Sequence, residues 1–190
     1  MNFHLPFNGD NFIANNFLKL KEKFNIENAV ETGTFEGGTT IFLAQNFKNV
    51  FSIECDEPSF KKAESNIKNA NVNVNLIFGK SEEVLPSILN TISNNTIFYL
   101  DAHWYNDCPL KNELQLIKKF NLKPIIAIHD FLVPDSKKLG YDTYNGQSFT
   151  YEWLKEELDA IYDKKYNYFY NNDIDSEGAM RGIIYIFPDN

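Results

Sequence analysis

The stretch Ala29–Thr40 (AVETGTFEGGTT) constrains this chain more than any other. A short apolar run ends in an acid, Glu31, passes Gly33, Gly37 and Gly38, and enters an apolar segment that reads as helix. The pattern is strand, tight turn, helix. Glycine permits positive φ and lets a ligand approach the main chain closely. In an alternating α/β chain the first such turn is where a nucleotide-like cofactor sits, provided that later strands build the rest of the sheet edge.

The later strands are present. Ile13, Phe17, Leu20 and Phe24 fall on one face of a leading amphipathic helix. After the glycine turn and its helix, strands are predicted at 49–55, 74–78, 96–101 and 124–130, each followed by a helical or loop segment. Pro58 suits the first turn of the helix after the second strand. Ser81 is a plausible N-cap for the helix after the third. Residues 131–148 hold Pro134, Gly140 and Gly146 without a sustained period and read as a loop. A helix over 149–162 follows, then strands at 166–170 and 182–187 whose link is too short for a crossover helix, which favours an antiparallel hairpin. The fold class is α/β: a doubly wound, Rossmann-like, seven-stranded sheet, mostly parallel, with a C-terminal antiparallel hairpin. At 190 residues it is read as one domain over 1–190, with 1–27 as a helical arm and 131–148 as a substrate loop.

Charge and composition remove several function classes. A net charge of −8 argues against nucleic-acid or anionic-membrane partners, which need a basic face. No apolar run has the length of a membrane span, and the first residues lack the pattern of a signal peptide. Cys55 and Cys108 form no framework or CxxC spacing, so a reduced, cytoplasmic setting is expected.

The turn itself selects among cofactors. A dinucleotide site would read G-x-G-x-x-G and open onto a pyrophosphate. Here the glycines are spaced differently, and Glu31 and Glu36 would repel a diphosphate; they suit a ligand bearing an ammonium and a sulfonium. Glu54, closing the second strand, is placed to accept hydrogen bonds from a ribose diol, a role that nicotinamide binders share.

On these residues the chain resembles the class I S-adenosylmethionine-dependent methyltransferases over nearly its whole length. Glu31, Gly33 and Gly37 match the family's first motif, with Thr34 inside it. Glu54 matches the acid after strand 2, Gly79, Lys80 and Ser81 the turn beside the adenine, and Asp101 the acid after strand 4. The resemblance implies a cofactor site for S-adenosyl-L-methionine formed by Glu31, Gly33, Thr34, Gly37, Glu54, Lys80, Ser81 and Asp101.

The fourth and fifth strands end in Asp101-Ala-His103 and His129-Asp130, and neighbouring strands would set them around one crevice. Oxygen and imidazole donors without thiolate suit Mg²⁺ or Mn²⁺, with Fe²⁺ or Zn²⁺ admissible. This group is similar to that of metal-dependent O-methyltransferases of small molecules and sugars, with His129 in place of an acid. Asp101, His129 and Asp130 are the metal candidates, and His103, His129 and Asp101 the catalytic ones; a metal-free histidine base stays open. Tyr141, Tyr144, Asn145 and Gln147 of the loop offer stacking and hydrogen-bonding surface for a sugar or aromatic acceptor, with Trp104 and Tyr105 as the opposite wall. Arg181 is open between an anchor for an anionic substrate group and an edge-strand charge, and His4 is incidental. The expected activity is O-methylation of a saccharide or other small-molecule hydroxyl, with or without a divalent cation; a homodimer is left open. The alternatives are a nicotinamide-dependent oxidoreductase and an S-adenosylmethionine-binding module without catalysis.

Overall fold

The computed structural model describes residues 5–103 and 108–189. A 3-10 turn over Pro6–Gly9 leads into α1 (Asn11–Phe24), and strands and helices then alternate: β1 (Asn28–Thr32), α2 (Gly38–Asn46), β2 (Asn49–Glu54), α3 (Glu57–Ala70), β3 (Asn75–Phe78) and α4 (Ser81–Leu89). They continue as β4 (Thr96–Leu100), α5 (Leu110–Lys119) and β5 (Ile125–His129), a short ribbon of β6 (Thr143–Tyr144) and β7 (Gln147–Ser148), α6 (Tyr151–Tyr162), β8 (Tyr166–Tyr170) and β9 (Ile183–Pro188).

The main sheet runs β3-β2-β1-β4-β5-β9-β8. Strands β1 to β5 are parallel, and β9 is antiparallel to both β5 and β8. This is the seven-stranded, mostly parallel sheet that the element order predicts. The last strand is inserted sixth in space, which sets Ile183 opposite His129.

Strand side chains alternate between two apolar layers. Ala29, Ile97, Tyr99, Ala127 and Tyr185 pack with Ile13, Phe17 and Leu20 of α1 and Leu43 of α2. Val30, Phe98, Leu100, Ile126 and Ile128 pack with apolar faces of α4, α5 and α6. Because both faces are covered, β1, β4 and β5 are buried at every position, and β4 and β5 run largely apolar without a polar alternation. Helix starts are fixed by side-chain caps: Asp10 accepts from Phe12 N and Ile13 N, Asp56 from Ser59 N, and Thr150 from Trp153 N. No helix among the described residues is long and apolar enough to cross a membrane.

Two local expectations change. The 131–148 segment contains the β6–β7 ribbon, closed by Asn145 and Gly146 at positive φ. Ser81 is the first residue of α4 and not its cap, because its hydroxyl turns inward beside the buried Glu113 carboxyl of α5.

The glycine turn is held by its neighbours. Gly33 N and Thr34 N donate to Ile53 O at 3.0 and 3.3 Å, and Asp101 N donates to Thr32 O at 3.0 Å. The chain leaving β1 is thereby clamped between the ends of β2 and β4. At Gly33 φ is +86°, and a Cβ would stand 2.5 Å from the Asp101 carbonyl oxygen. At Gly37, also at φ +86°, a Cβ would face Ala63 of α3 at 3.4 Å. The missing side chains make room for protein backbone and a neighbouring helix, where the sequence alone suggested room for a ligand.

Gly33→Ala should therefore cost more than a left-handed alanine alone. Gly146, at φ +79° with nothing near its missing Cβ, is the control: Gly146→Ala should lose about 1 kcal/mol and Gly33→Ala about 2 kcal/mol or more, read from denaturant midpoints.

Candidate functional site

A cavity of about 790 Å³ opens at the carboxyl ends of β1, β2, β4 and β5. Its sides differ in chemistry. Glu31, Gly33, Glu54, Phe78, Lys80 and Ser81 line one part; His103, His129, Asp130, Asp142 and Arg181 line the other, with Asp101 between them. Leu5 and Asn8, from the segment before α1, complete the wall. That segment is docked by a 2.9 Å bond from Phe7 N to Thr39 Oγ1 of α2.

Glu31 is buried at the end of β1, on the face turned toward α2. Its Oε2 accepts from Thr40 Oγ1 at 2.5 Å and Ser52 Oγ at 2.6 Å, while Oε1 has no hydrogen-bond partner among the described residues. Burial pushes this carboxyl up to about 8; the Ser52 and Thr40 hydroxyls pull it back, and Asp101 and Glu54 add to the rise. The raised value favours the protonated carboxyl at neutral pH, in place of the standing negative charge that the sequence suggested.

Glu54 is used differently. Its Oε2 accepts from Phe35 N at 2.7 Å and its Oε1 from Asp56 N at 2.8 Å, so the carboxylate ties the glycine turn to the start of α3. Burial raises its pKa, and these backbone N–H groups act against the rise. Each oxygen keeps a second lone pair for a ligand diol. Thr34 lines the cavity, but its hydroxyl is bonded to Ser52 Oγ at 2.5 Å. Gly37 does not line the cavity. Phe35 and Phe78 are half-exposed on its wall, and they were not singled out from sequence because a single aromatic residue beside a turn carries no pattern.

The other side is an ionic network centred on Asp130, which sits at φ +56° just past β5. Its Oδ1 takes Arg181 Nε and lies 3.3 Å from His129 Nδ1, and its Oδ2 lies 3.3 Å from His103 Nε2. His129 Nδ1 also faces Asp101 Oδ1 at 3.0 Å, and Arg181 Nη2 donates to Asp142 Oδ1. Burial alone would lower the His129 pKa, but the Asp101 and Asp130 charges lift it well above the ordinary histidine value. Asp130 goes the opposite way: burial would raise it, and His129, His103 and Arg181 hold it far below the carboxylate range. The half-exposed His103 is raised by its contact with Asp130.

The 131–148 segment reaches the cavity through one residue that the sequence did not flag. Asp142 lines the cavity, and its carboxylate receives Arg181 and, at 3.3 Å, the Tyr144 hydroxyl. Tyr141, Tyr144, Asn145 and Gln147 do not line it; Tyr144 stands behind His103, ring centroids 5.7 Å apart, and stacks on Phe149. Arg181 is neither an edge-strand charge nor a free anion anchor, since its Nε and Nη2 are committed to two aspartates. Trp104, Tyr105 and His4 lie outside the described residues.

Asp101, His129 and Asp130 place donor atoms within 4.8 Å of one another, as do His103, Asp130 and Asp142. The arrangement does not fit a resident divalent ion. Two acceptors face His129 Nδ1, so that nitrogen carries a proton where a metal needs a lone pair, and Arg181 holds the shared ligand.

No protein-family model matches the sequence, and a search of curated proteins gives no match. Solved structures do match. An O-methyltransferase from Bacillus cereus in complex with SAH is 20% identical at a TM-score of 0.68, covering 94% of this chain and 81% of that one. The O-methyltransferase TomG from Streptomyces achromogenes, involved in tomaymycin synthesis and in complex with SAM, is 16% identical at 0.68, covering 93% and 79%. An rRNA methylase from Streptococcus thermophilus is 14% identical at 0.58, covering 94% and 95%. These likenesses show the fold, the Rossmann-like sheet of methyltransferases.

Glu31 makes a prediction about stability. Below about pH 4.5 the carboxyl is neutral in both folded and unfolded chains; between 4.5 and 8 only the unfolded chain releases the proton, so stability falls as pH rises. Glu31→Gln removes that slope. Thermal unfolding across pH should show the variant equal to wild type near pH 4 and more stable by on the order of 5 kcal/mol above pH 8.

Proposed function

We propose that this protein is an S-adenosylmethionine-dependent methyltransferase acting on a hydroxyl of a small molecule or saccharide. One observation carries the reading: a single cavity joins a buried acid with a bare oxygen, Glu31, to a half-exposed histidine held by an aspartate, His103 and Asp130. The methyl donor's ammonium would find Glu31 Oε1, its ribose diol would find Glu54, and its adenine would lie by Phe78 and the Gly79–Ser81 turn. A nicotinamide dinucleotide would set its pyrophosphate beside Glu36 and offer Glu31 no ammonium to ionise toward, which disfavours that alternative.

The acceptor would enter on the side of Asp142. His103, oriented through Nε2 by Asp130, would take the hydroxyl proton on its other ring nitrogen. The acceptor oxygen would then bond to the methyl carbon as the carbon–sulfur bond breaks. The His103–Asp130 pair also speaks against a binding module without catalysis.

Calorimetry with S-adenosylhomocysteine and with NAD⁺ tests the cofactor. S-adenosylhomocysteine should bind and NAD⁺ should not; the reverse result sinks the reading. An ammonium brought against Glu31 favours its ionised form, so binding at pH 7 should release a proton, seen as a heat that varies with buffer ionisation enthalpy. Glu31→Gln should abolish that variation and weaken binding by about tenfold or more. Methyl transfer to a saccharide and phenol panel tests the acceptor class, and His103→Ala should lower turnover by about a hundredfold or more.

A further inference from the structure

Arg181 reaches the site from the connection into β9. Its Nε donates to Asp130 Oδ1 and its Nη2 to Asp142 Oδ1. Nη1 lies over Gly140, where a Cβ would stand 2.8 Å from it. Backbone bonds from Gly140 N to Met180 O and from Gly182 N to Gly140 O, both 2.8 Å, hold the two segments together. The end of β5, the loop before β6 and the entry to β9 thus converge on one guanidinium. The carboxylates it grips are those that with His103 place donor atoms within 4.8 Å of one another, and Asp130 belongs also to the group with Asp101 and His129.

We propose that Arg181 is a built-in substitute for a divalent cation: it bridges Asp130 and Asp142 of a carboxylate–histidine cluster and holds Asp130 in place to orient His103. The statement about His103 rests on the methyltransferase reading; the statement about the cluster does not. A planar guanidinium donates in two fixed directions, and here each direction ends on a different carboxylate. The same two carboxylates belong to the group that with His103 could hold an ion. Arg181 thus supplies a positive charge to Asp130 and Asp142 from within the chain. Arg181 acts through Asp130 and is a positioning residue.

Removing the guanidinium should uncover the cluster. The probe is Mn²⁺, followed by loss of its free-ion electron paramagnetic resonance signal on titration into the full chain. Wild type should leave the signal unchanged. Arg181→Gln should take up one Mn²⁺ per chain, Arg181→Lys should not because it keeps the charge, and adding Asp130→Asn to Arg181→Gln should weaken uptake by about tenfold or more. Gly140→Ala, whose methyl displaces Nη1, gives a second route to the same gain if Arg181→Gln does not fold. A merely structural role for Arg181 would create no ion site. Stoichiometric uptake by wild type, or no uptake by any folded variant, overturns the proposal. S-adenosylhomocysteine binding on the same preparations separates the two readings. The Mn²⁺ pattern without such binding removes the functional reading alone, and such binding by a wild type that also takes up Mn²⁺ removes this one alone.

Discussion

Parallel strands deliver their last residues to one edge, and in this protein that edge gathers carboxyl groups that repel one another. Glu31, next to last in β1, lies side by side with Ser52 of β2, Glu54 closes β2, and Asp101 and Asp130 follow β4 and β5. The structure meets the repulsion in three ways. Glu31 keeps its proton, Glu54 is surrounded by backbone N–H groups, and the two aspartates share an imidazole while Asp130 also takes a guanidinium. Each solution leaves a different residual chemistry: an acid that can ionise toward a cation, an acceptor pair for hydroxyls, and a fixed ionic frame around a histidine. The division of the cavity into two halves follows from these three solutions.

Much of the fold was legible because it depends on local pattern and on burial. The apolar runs of β4 and β5 reflect a sheet covered on both faces, and the short link before β9 favoured a hairpin. The convergence of Asp101, His103, His129 and Asp130 followed from strand adjacency. What was not legible depends on contacts between distant residues. Nothing in a sequence window shows that Ser52 and Thr40 will saturate one oxygen of Glu31, or that Asp142 and Arg181 will meet across 39 residues. The glycines show the same limit. Their spacing marked the turn, but the reason for Gly33 is the carbonyl of Asp101, which belongs to another strand.

The tyrosines of the 131–148 segment illustrate how the ionic frame overrides composition. Stacking residues in a loop suggested a sugar platform, yet it is the aspartate beside them that the guanidinium draws into the cavity. Tyr144 is left to brace His103 from behind and to pack on Phe149, so the aromatic content of this loop serves the shape of the site and not its lining.

The sixth position of β9 in the sheet also has a consequence in time. Asp130 and Arg181 are 51 residues apart, so during synthesis the five parallel strands can be complete while the aspartates at their edge lack their main counter-charge. Until Arg181 and β9 arrive, β5 is an edge strand with an open hydrogen-bonding rim. A nascent chain passing through that interval presents an open rim and concentrated negative charge together, and the charge discourages the rim from pairing with another copy.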